Sequence, residues 1–454
     1  MDQRLSLSSY LFIGSMLFGL FFGAGNLIFP VHMGQEAGSN VAAATIGFLI
    51  TGIGLPFLGI VAMGVSKSNG LFELASRIHP TYGYLMTIAL YLTIGPFFAL
   101  PRTGTVSYEI GLVPFIPVEY QGLGLACFTL VFFMVALFFS LRPSEILTWV
   151  GKVLNPLFLL FLAFLVVISF WQPMGSISVA DVHGQYATDP FFKGFTEGYN
   201  TMDALASLAF GIIVVQTLKG LGVQSPRGIA MGTLKAGTVS VVLMGLIYGC
   251  LAYIGATSVG QYEVSKNGGI ALAQIANYYF GSLGSILLAI IVTLACLKTA
   301  IGLITACAET FQELFPGSLS YRSYVLVFTA LSCLIANVGL TRIISLSIPA
   351  LMFLYPLAIT LILLALLSPL FKNRQTVYVL ATLGALLISI GDALNAMPEF
   401  IKNKAAVQSI LVSYQQFVPF FDIGMGWVIP MIIGLGLGWG ISVCKESTKN
   451  AVES

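Results

Sequence analysis

The sequence predicts an all-α membrane protein of about twelve transmembrane helices, and three observations carry that prediction. The 454 residues are 57% hydrophobic and only 8% charged, whereas soluble chains carry about 25% charged residues. Twelve stretches are apolar over about the 20 residues that a helix needs to cross a hydrocarbon layer ~30 Å thick. Two of the twelve are interrupted near mid-depth by glycine and polar residues.

The spans are expected near 8–31, 40–66, 80–110, 120–141, 148–171, 192–218, 228–257, 282–312, 322–339, 343–367, 376–396 and 423–444. Pro96 and Pro101 lie inside the third, which is expected to kink because each proline removes a backbone donor. Short surface helices are expected at 269–280 and at 399–415, the latter carrying Glu399, Lys402 and Lys404. The 171–191 segment is polar and aperiodic and reads as an exposed loop. One transmembrane domain spans 1–454, with no separate soluble part.

Charge and composition exclude several classes. A net charge of +2 spread along the chain offers no basic patch for nucleic acid. The cysteines (Cys127, Cys250, Cys296, Cys307, Cys333 and Cys444) fall mostly in apolar runs without metal-ligand spacing, and read as small buried hydrophobes. No enzyme motif is present. The expected partners are the lipid bilayer and a small solute, with no cofactor and no obligatory protein partner. The first apolar stretch has no small-residue cleavage motif and is expected to remain as the first span. With the N-terminus inside, thirteen Lys and Arg fall on the cytoplasmic side and six on the other, leaving Lys298 in the membrane. That asymmetry places both termini in the cytoplasm.

The first break is the run Phe18–Pro30, FGLFFGAGNLIFP, with Gly23, Ala24, Gly25 and Asn26 at its middle. Glycine costs about 1 kcal/mol in a helix interior, and irregular backbone at membrane depth is tolerated only where it lines a cavity or is buried in protein. The bland alternative is a glycine-rich face for close helix packing. Five spans later the sixth reads GYNTMDALASLAFGIIVV, Gly198–Val215, with Asn200, Asp203 and Ser207 where apolar residues would be expected. This spacing suggests a 5+5 inverted repeat, one half near 8–171 and the other near 192–367, plus additional helices near 376–444. Half-helix N-termini would then offer N–H groups to an anion, and C-termini carbonyls to a cation. A zwitterionic solute matches such a site.

FGLFFGAGNLIFP, GFLITGIGLPFLGIVAMGV, the GPFFALPRT of Gly95–Thr103 and TMDALASLAFGIIV resemble the bacterial branched-chain amino acid:cation symporters. The resemblance runs through nearly the whole chain. It implies uptake of leucine, isoleucine and valine across the bacterial cytoplasmic membrane, driven by a sodium or proton gradient, on the LeuT-type fold. A sodium-independent exchanger is the alternative, and a channel a more remote one.

Residues beside that resemblance suggest a pocket. Branched side chains need an apolar cavity, and burying one contributes about 1.5–3 kcal/mol. Phe22 and Phe210 are candidates to line it, although each taken singly reads first as a packing residue. The solute carboxylate would take N–H groups around Ala24, Gly25 and Asn26. Its ammonium would take carbonyls near Gly19 to Gly23 and near Ala206, Ser207 and Phe210. Asp203 is a candidate to sense a cation, attract the ammonium or cap the following half-helix. Arg102 and Glu109 lie two helical turns apart and suggest an external gate or a structural ion pair.

In the eighth span, Thr293–Gly302 reads TLACLKTAIG. It resembles the Ala-x-Leu-Thr-Ser pattern with which sodium-coupled LeuT-type transporters ligate sodium. Ala295 and Thr299 match, and Gly19 and Phe22 would add carbonyls from the first span. Lys298 stands where the first hydroxyl is expected, so the coupling ion is left open between Na+ and H+. Either sodium binds there, or the Lys298 ammonium replaces it. Burial disfavours a charged lysine, so Lys298 could exchange a proton. A stem that packs while its head snorkels into water is the structural alternative.

Overall fold

The computed structural model describes residues 5–142 and 159–453. Among these, regular structure is helical throughout, without strands. The first span is two helices, α1 (Leu7–Phe21) and α2 (Ala24–Ala37). At 1.5 Å per residue each is about 21–23 Å long, short of a ~30 Å hydrocarbon layer, so only the two together cross it. The Ser6 hydroxyl accepts the Ser9 N–H at 3.1 Å and caps α1. Gly38, at φ 48°, turns the chain into α3 (Val41–Leu49), and a π-turn at Ile50–Gly54 leads into α4 (Leu55–Ser66). The glycine is required there, because a left-handed φ disfavours side chains.

After the short α5 (Leu71–Ser76), the third span comprises α6 (Pro80–Leu92) and α7 (Ala99–Gly111). They meet at a π-turn, Thr93–Phe97, where Gly95 leaves helical geometry beside Pro96. The kink is where the prolines predict it. Pro101 is the third residue of α7, where a helix has no use for the missing N–H. The helix α8 (Gln121–Leu141) follows, then α9 (Leu159–Trp171). The rest of the expected fifth span, 148–158, lies outside the described residues.

The connection expected to be an exposed, aperiodic loop at 171–191 contains two 3-10 turns, Ile177–Val179 and Gly184–Ala187. It is also pinned to the end of α2: His183 N–H donates to Glu36 O at 2.9 Å, and Ser39 N–H to Ala180 O at 3.3 Å. Those bonds satisfy backbone groups that an aperiodic sequence gives no hint of. The sixth span is α10 (Pro190–Glu197), a 3-10 turn at Gly198–Thr201, and α11 (Asp203–Gly220).

Beyond it lie α12 (Pro226–Ser258) and α13 (Gly268–Leu314). The short helix expected at 269–280 is separate from the eighth span: Gly281 (φ 61°, ψ −157°) leaves helical geometry within α13 and divides it into two helices that meet at a kink. The chain continues through α14 (Tyr321–Ala336), α15 (Leu340–Leu367), α16 (Gln375–Asn395), the short α17 (Glu399–Lys402) and α18 (Ala405–Phe417), and α19 (Val428–Glu453).

Nine helices among the described residues are long and apolar enough to cross a membrane, with shorter apolar helices at Leu7–Gly19, Leu159–Trp171 and Tyr321–Ala336. The outer faces expose large apolar side chains such as Leu123, Phe164, Val242 and Leu283, a surface suited to lipid rather than water. Inside, α1 and α2 pack on α12, α11 on α4, and α13 on α2 and α7. The α2–α12 approach depends on two glycines. A Cβ on Gly34 would overlap the Ala252 carbonyl, and one on Gly255 the Val31 carbonyl. Such close backbone contact is how membrane helices gain packing energy without a hydrophobic driving force.

Candidate functional site

The first break is two residues wide. Phe22 (φ −73°, ψ 99°) and Gly23 (φ −127°, ψ −167°) are both extended. The Phe22 N–H still reaches Phe18 O at 2.8 Å, but the Gly23 N–H turns to the Asn26 side chain, donating to Oδ1 at 2.9 Å. The Gly19 carbonyl therefore loses its ladder donor. The N–H groups of Ala24, Gly25 and Asn26 open α2 and have no carbonyl one turn back. Pro30 has no N–H, so the Asn26 carbonyl also leaves the ladder. A short stretch of backbone thus offers both donors and acceptors at membrane depth.

The second break lies at Asn200–Met202, where Met202 takes the left-handed conformation (φ 62°, ψ 11°). A side chain in that region costs about 1–2 kcal/mol and persists only where its surroundings fix it. This position corrects the expectation that Ala206, Ser207 and Phe210 would supply open carbonyls. All three lie inside continuous α11, and the Ala206 N–H already bonds Met202 O at 2.9 Å. Ser207 donates to Ala204 O at 2.7 Å and packs against Gly59 of α4. The break comes earlier because Asp203 starts α11 and its backbone N–H takes Thr201 Oγ1 at 3.3 Å.

A buried polar knot joins the two breaks. Asn26 Nδ2 donates to Asp203 Oδ2 and to the Tyr248 hydroxyl, and Tyr248 in turn donates to Asp203 Oδ2 at 3.3 Å. Asn26, Asp203 and Tyr248 are all buried. Three helices, α2, α11 and α12, therefore meet through side chains rather than through apolar packing alone. Tyr248 escaped the sequence reading. The available signal was a tyrosine in the middle of an apolar span, whose hydroxyl must find a partner.

Arg102 and Glu109 do not pair. Arg102, 4% exposed, points from α7 into the space between the breaks. Its Nη1 donates to the Asn200 carbonyl at 2.8 Å, and its guanidinium lies over the Phe29 ring at 4.9 Å. A Cβ on Gly25 would sit 2.9 Å from Nη2, so only glycine lets the guanidinium approach the start of α2 this closely. Glu109 lies further along α7, beside Gly269 at the start of α13. The helix between them is long enough to keep the pair apart, because each side chain faces a different neighbour.

The placement of Arg102 has an electrostatic consequence. The start of α2 carries the positive end of its dipole, and Arg102 brings a second positive group to the same place. Asp203 is a nearby countercharge, yet among the described residues it makes no ion pair with Arg102. A carboxylate placed at the α2 N-terminus would meet free N–H groups and a guanidinium together, the strongest combination available for an anionic group.

The eighth-span pattern also reaches the first break. Thr299 packs beside Gly23, its Oγ1 3.7 Å from where a Gly23 Cβ would stand, and it donates to Ala295 O at 3.1 Å. Lys298, one residue away on the same turn, is half-buried and makes no hydrogen bond or ion pair among the described residues. Phe22 stacks on Phe18 at 4.8 Å. The structure therefore brings the Thr299 end of the eighth-span pattern against Gly23 of the first break.

Two discontinuous helices, knotted to each other inside a membrane bundle with their half-helix ends meeting in its interior, define a secondary transporter. The fold is shared with solved transporters. One is Mhp1, a nucleobase-cation-symport-1 family transporter in a closed conformation with bromovinylhydantoin bound (TM-score 0.60, 16% identity, 96% of this chain and 93% of that one). Another is MhsT in complex with L-phenylalanine (TM-score 0.58, 14% identity, 96% of this chain and 100% of that one).

The model of the branched-chain amino acid transport protein family matches residues 6–445, and the chain belongs to that family. It is 47% identical to the branched-chain amino acid permease BrnQ of Lactobacillus delbrueckii subsp. lactis, over 95% of this chain and 96% of that protein. It is 41% identical to the branched-chain amino acid transport system 2 carrier protein of Pseudomonas aeruginosa, over 94% of each.

Proposed function

We propose that this protein imports leucine, isoleucine and valine across the bacterial cytoplasmic membrane by alternating access, with both termini in the cytoplasm. The carrying observation is the convergence of the α2 N-terminus, Arg102 and Asp203 where the two broken helices meet. The solute carboxylate takes the N–H groups of Ala24, Gly25 and Asn26 and the free arm of Arg102. The ammonium takes carbonyls released at Gly19 to Gly23 and the side of the Asp203 carboxylate. Phe22 and neighbouring aliphatics receive the branched side chain. Halves near 8–171 and 192–367 act as the inverted repeat, and α1, α2, α10 and α11 move against the rest.

For the coupling ion, the reading is that the Lys298 ammonium occupies the cation position and makes transport proton-coupled or sodium-independent. Supporting this is a lysine beside Thr299 and Ala295 with no counterion of its own. Radiolabelled leucine uptake into proteoliposomes, with sodium and pH gradients imposed separately, tests both parts. Wild-type uptake should follow the pH gradient or neither gradient, and Lys298→Thr should gain a several-fold stimulation by sodium. An unchanged sodium response in Lys298→Thr refutes the surrogate role. No saturable leucine uptake under any gradient refutes the transport reading itself.

A further inference from the structure

Beyond the first break, on the side of the bundle away from the N-terminus, lies a cavity of about 200 Å³ among α2, α10, the start of α13 and the start of α15. Its volume corresponds to roughly six or seven water molecules, too large for a lone ion and suited to one small solute. Its lining is sorted by chemistry. Phe29, Ile344 and Ile348 make an apolar wall, while Glu36, Glu197, Lys193 and Lys266 bring two charges of each sign.

Part of that charge is already satisfied. Lys193 pairs with Glu197 at 3.0 Å, and the other Glu197 oxygen accepts Asn200 Nδ2 at 2.9 Å. Two charges have no direct partner, although Glu36 feels His32, Lys193 and His183 through space. The Glu36 carboxylate and the Lys266 ammonium have no hydrogen bond or ion pair among the described residues. A metal ion is a poor occupant: no group of three or more His, Cys, Asp or Glu with suitable geometry is present among the described residues. The balanced lining selects neither an anion nor a cation. It matches an occupant that carries both charges and one apolar arm.

We propose that this cavity is a second binding site for a zwitterionic aliphatic amino acid, with the ammonium on Glu36, the carboxylate on Lys266 and the side chain against Phe29, Ile344 and Ile348. The inference rests on the transport reading above. The Phe29 ring that forms its floor also carries Arg102, so an occupant here sits one aromatic ring away from the gap between the breaks.

Equilibrium binding of radiolabelled leucine to the purified full chain in nanodiscs tests it. Wild type should bind two leucines per chain. Glu36→Gln and Lys266→Gln should each weaken one of the two by at least about tenfold, and Ile348→Trp, which fills the cavity, should remove it. Lys266 is exposed and unbonded, so its substitution leaves folding intact. Stoichiometry of one in wild type with intact uptake, or two in all three variants, overturns the second site alone. No binding and no uptake overturns it together with the transport reading.

Discussion

Asn26→Leu is expected to abolish leucine uptake, at least about a hundredfold below wild type, and to lower thermal stability in detergent. Asn26 holds three groups at once: the Gly23 N–H, the Asp203 carboxylate and the Tyr248 hydroxyl. Leucine is similar in size but bonds none of them. An unsatisfied buried polar group costs about 1–3 kcal/mol, and more where a charge is involved. The Asp203 carboxylate would keep Tyr248, at 3.3 Å, and the Thr201 side chain. The Gly23 N–H would also be free to return to the Gly19 carbonyl, closing the break that the mechanism requires. Uptake within twofold of wild type, from protein that elutes as a single species, would contradict the role given to Asn26.

Arg102→Lys is expected to reduce leucine uptake by about one to two orders of magnitude, and Arg102→Met by at least as much. The guanidinium uses one nitrogen for the Asn200 carbonyl and lays its flat face on Phe29, while a second nitrogen points at Gly25. An ammonium is a compact charge without that planar fork, so it cannot keep all three contacts. A charge-only role would be rescued by lysine; the geometric role argued above would not. The loss should appear mainly as a raised KM, because Arg102 is assigned to the solute carboxylate. Equal KM for wild type and Arg102→Lys would remove Arg102 from the substrate site.

Much of this arrangement was legible because helix breaks leave strong local signals. Gly23, Gly25 and Asn26 inside an apolar run fixed the first break to within a residue or two. The kink of the third span followed from Pro96 in the same way. The second break was displaced because Ala206, Ser207 and Phe210 are ordinary α11 residues, whereas Met202, which turns the chain, looks like any apolar residue in sequence. Its left-handed conformation is imposed by tertiary contacts, which local propensity does not contain.

Long-range pairing was the least legible. Arg102 and Glu109 share a helix face and look like partners, yet two turns of rise, about 10.5 Å, put one at the breaks and the other at the start of α13. Tyr248, far along the chain from Asn26, gave no spacing signal at all. Glu36 and Lys266 come together only because α2 and the start of α13 share a wall of the same cavity.

A structure determined with leucine bound tests the central claim most directly. The account predicts density for the amino acid between the two breaks, its carboxylate within hydrogen-bond distance of the Gly25 and Asn26 N–H groups and of Arg102. Leucine found only away from Phe22–Asn26 and Thr201–Asp203, with both breaks uncontacted, would contradict it.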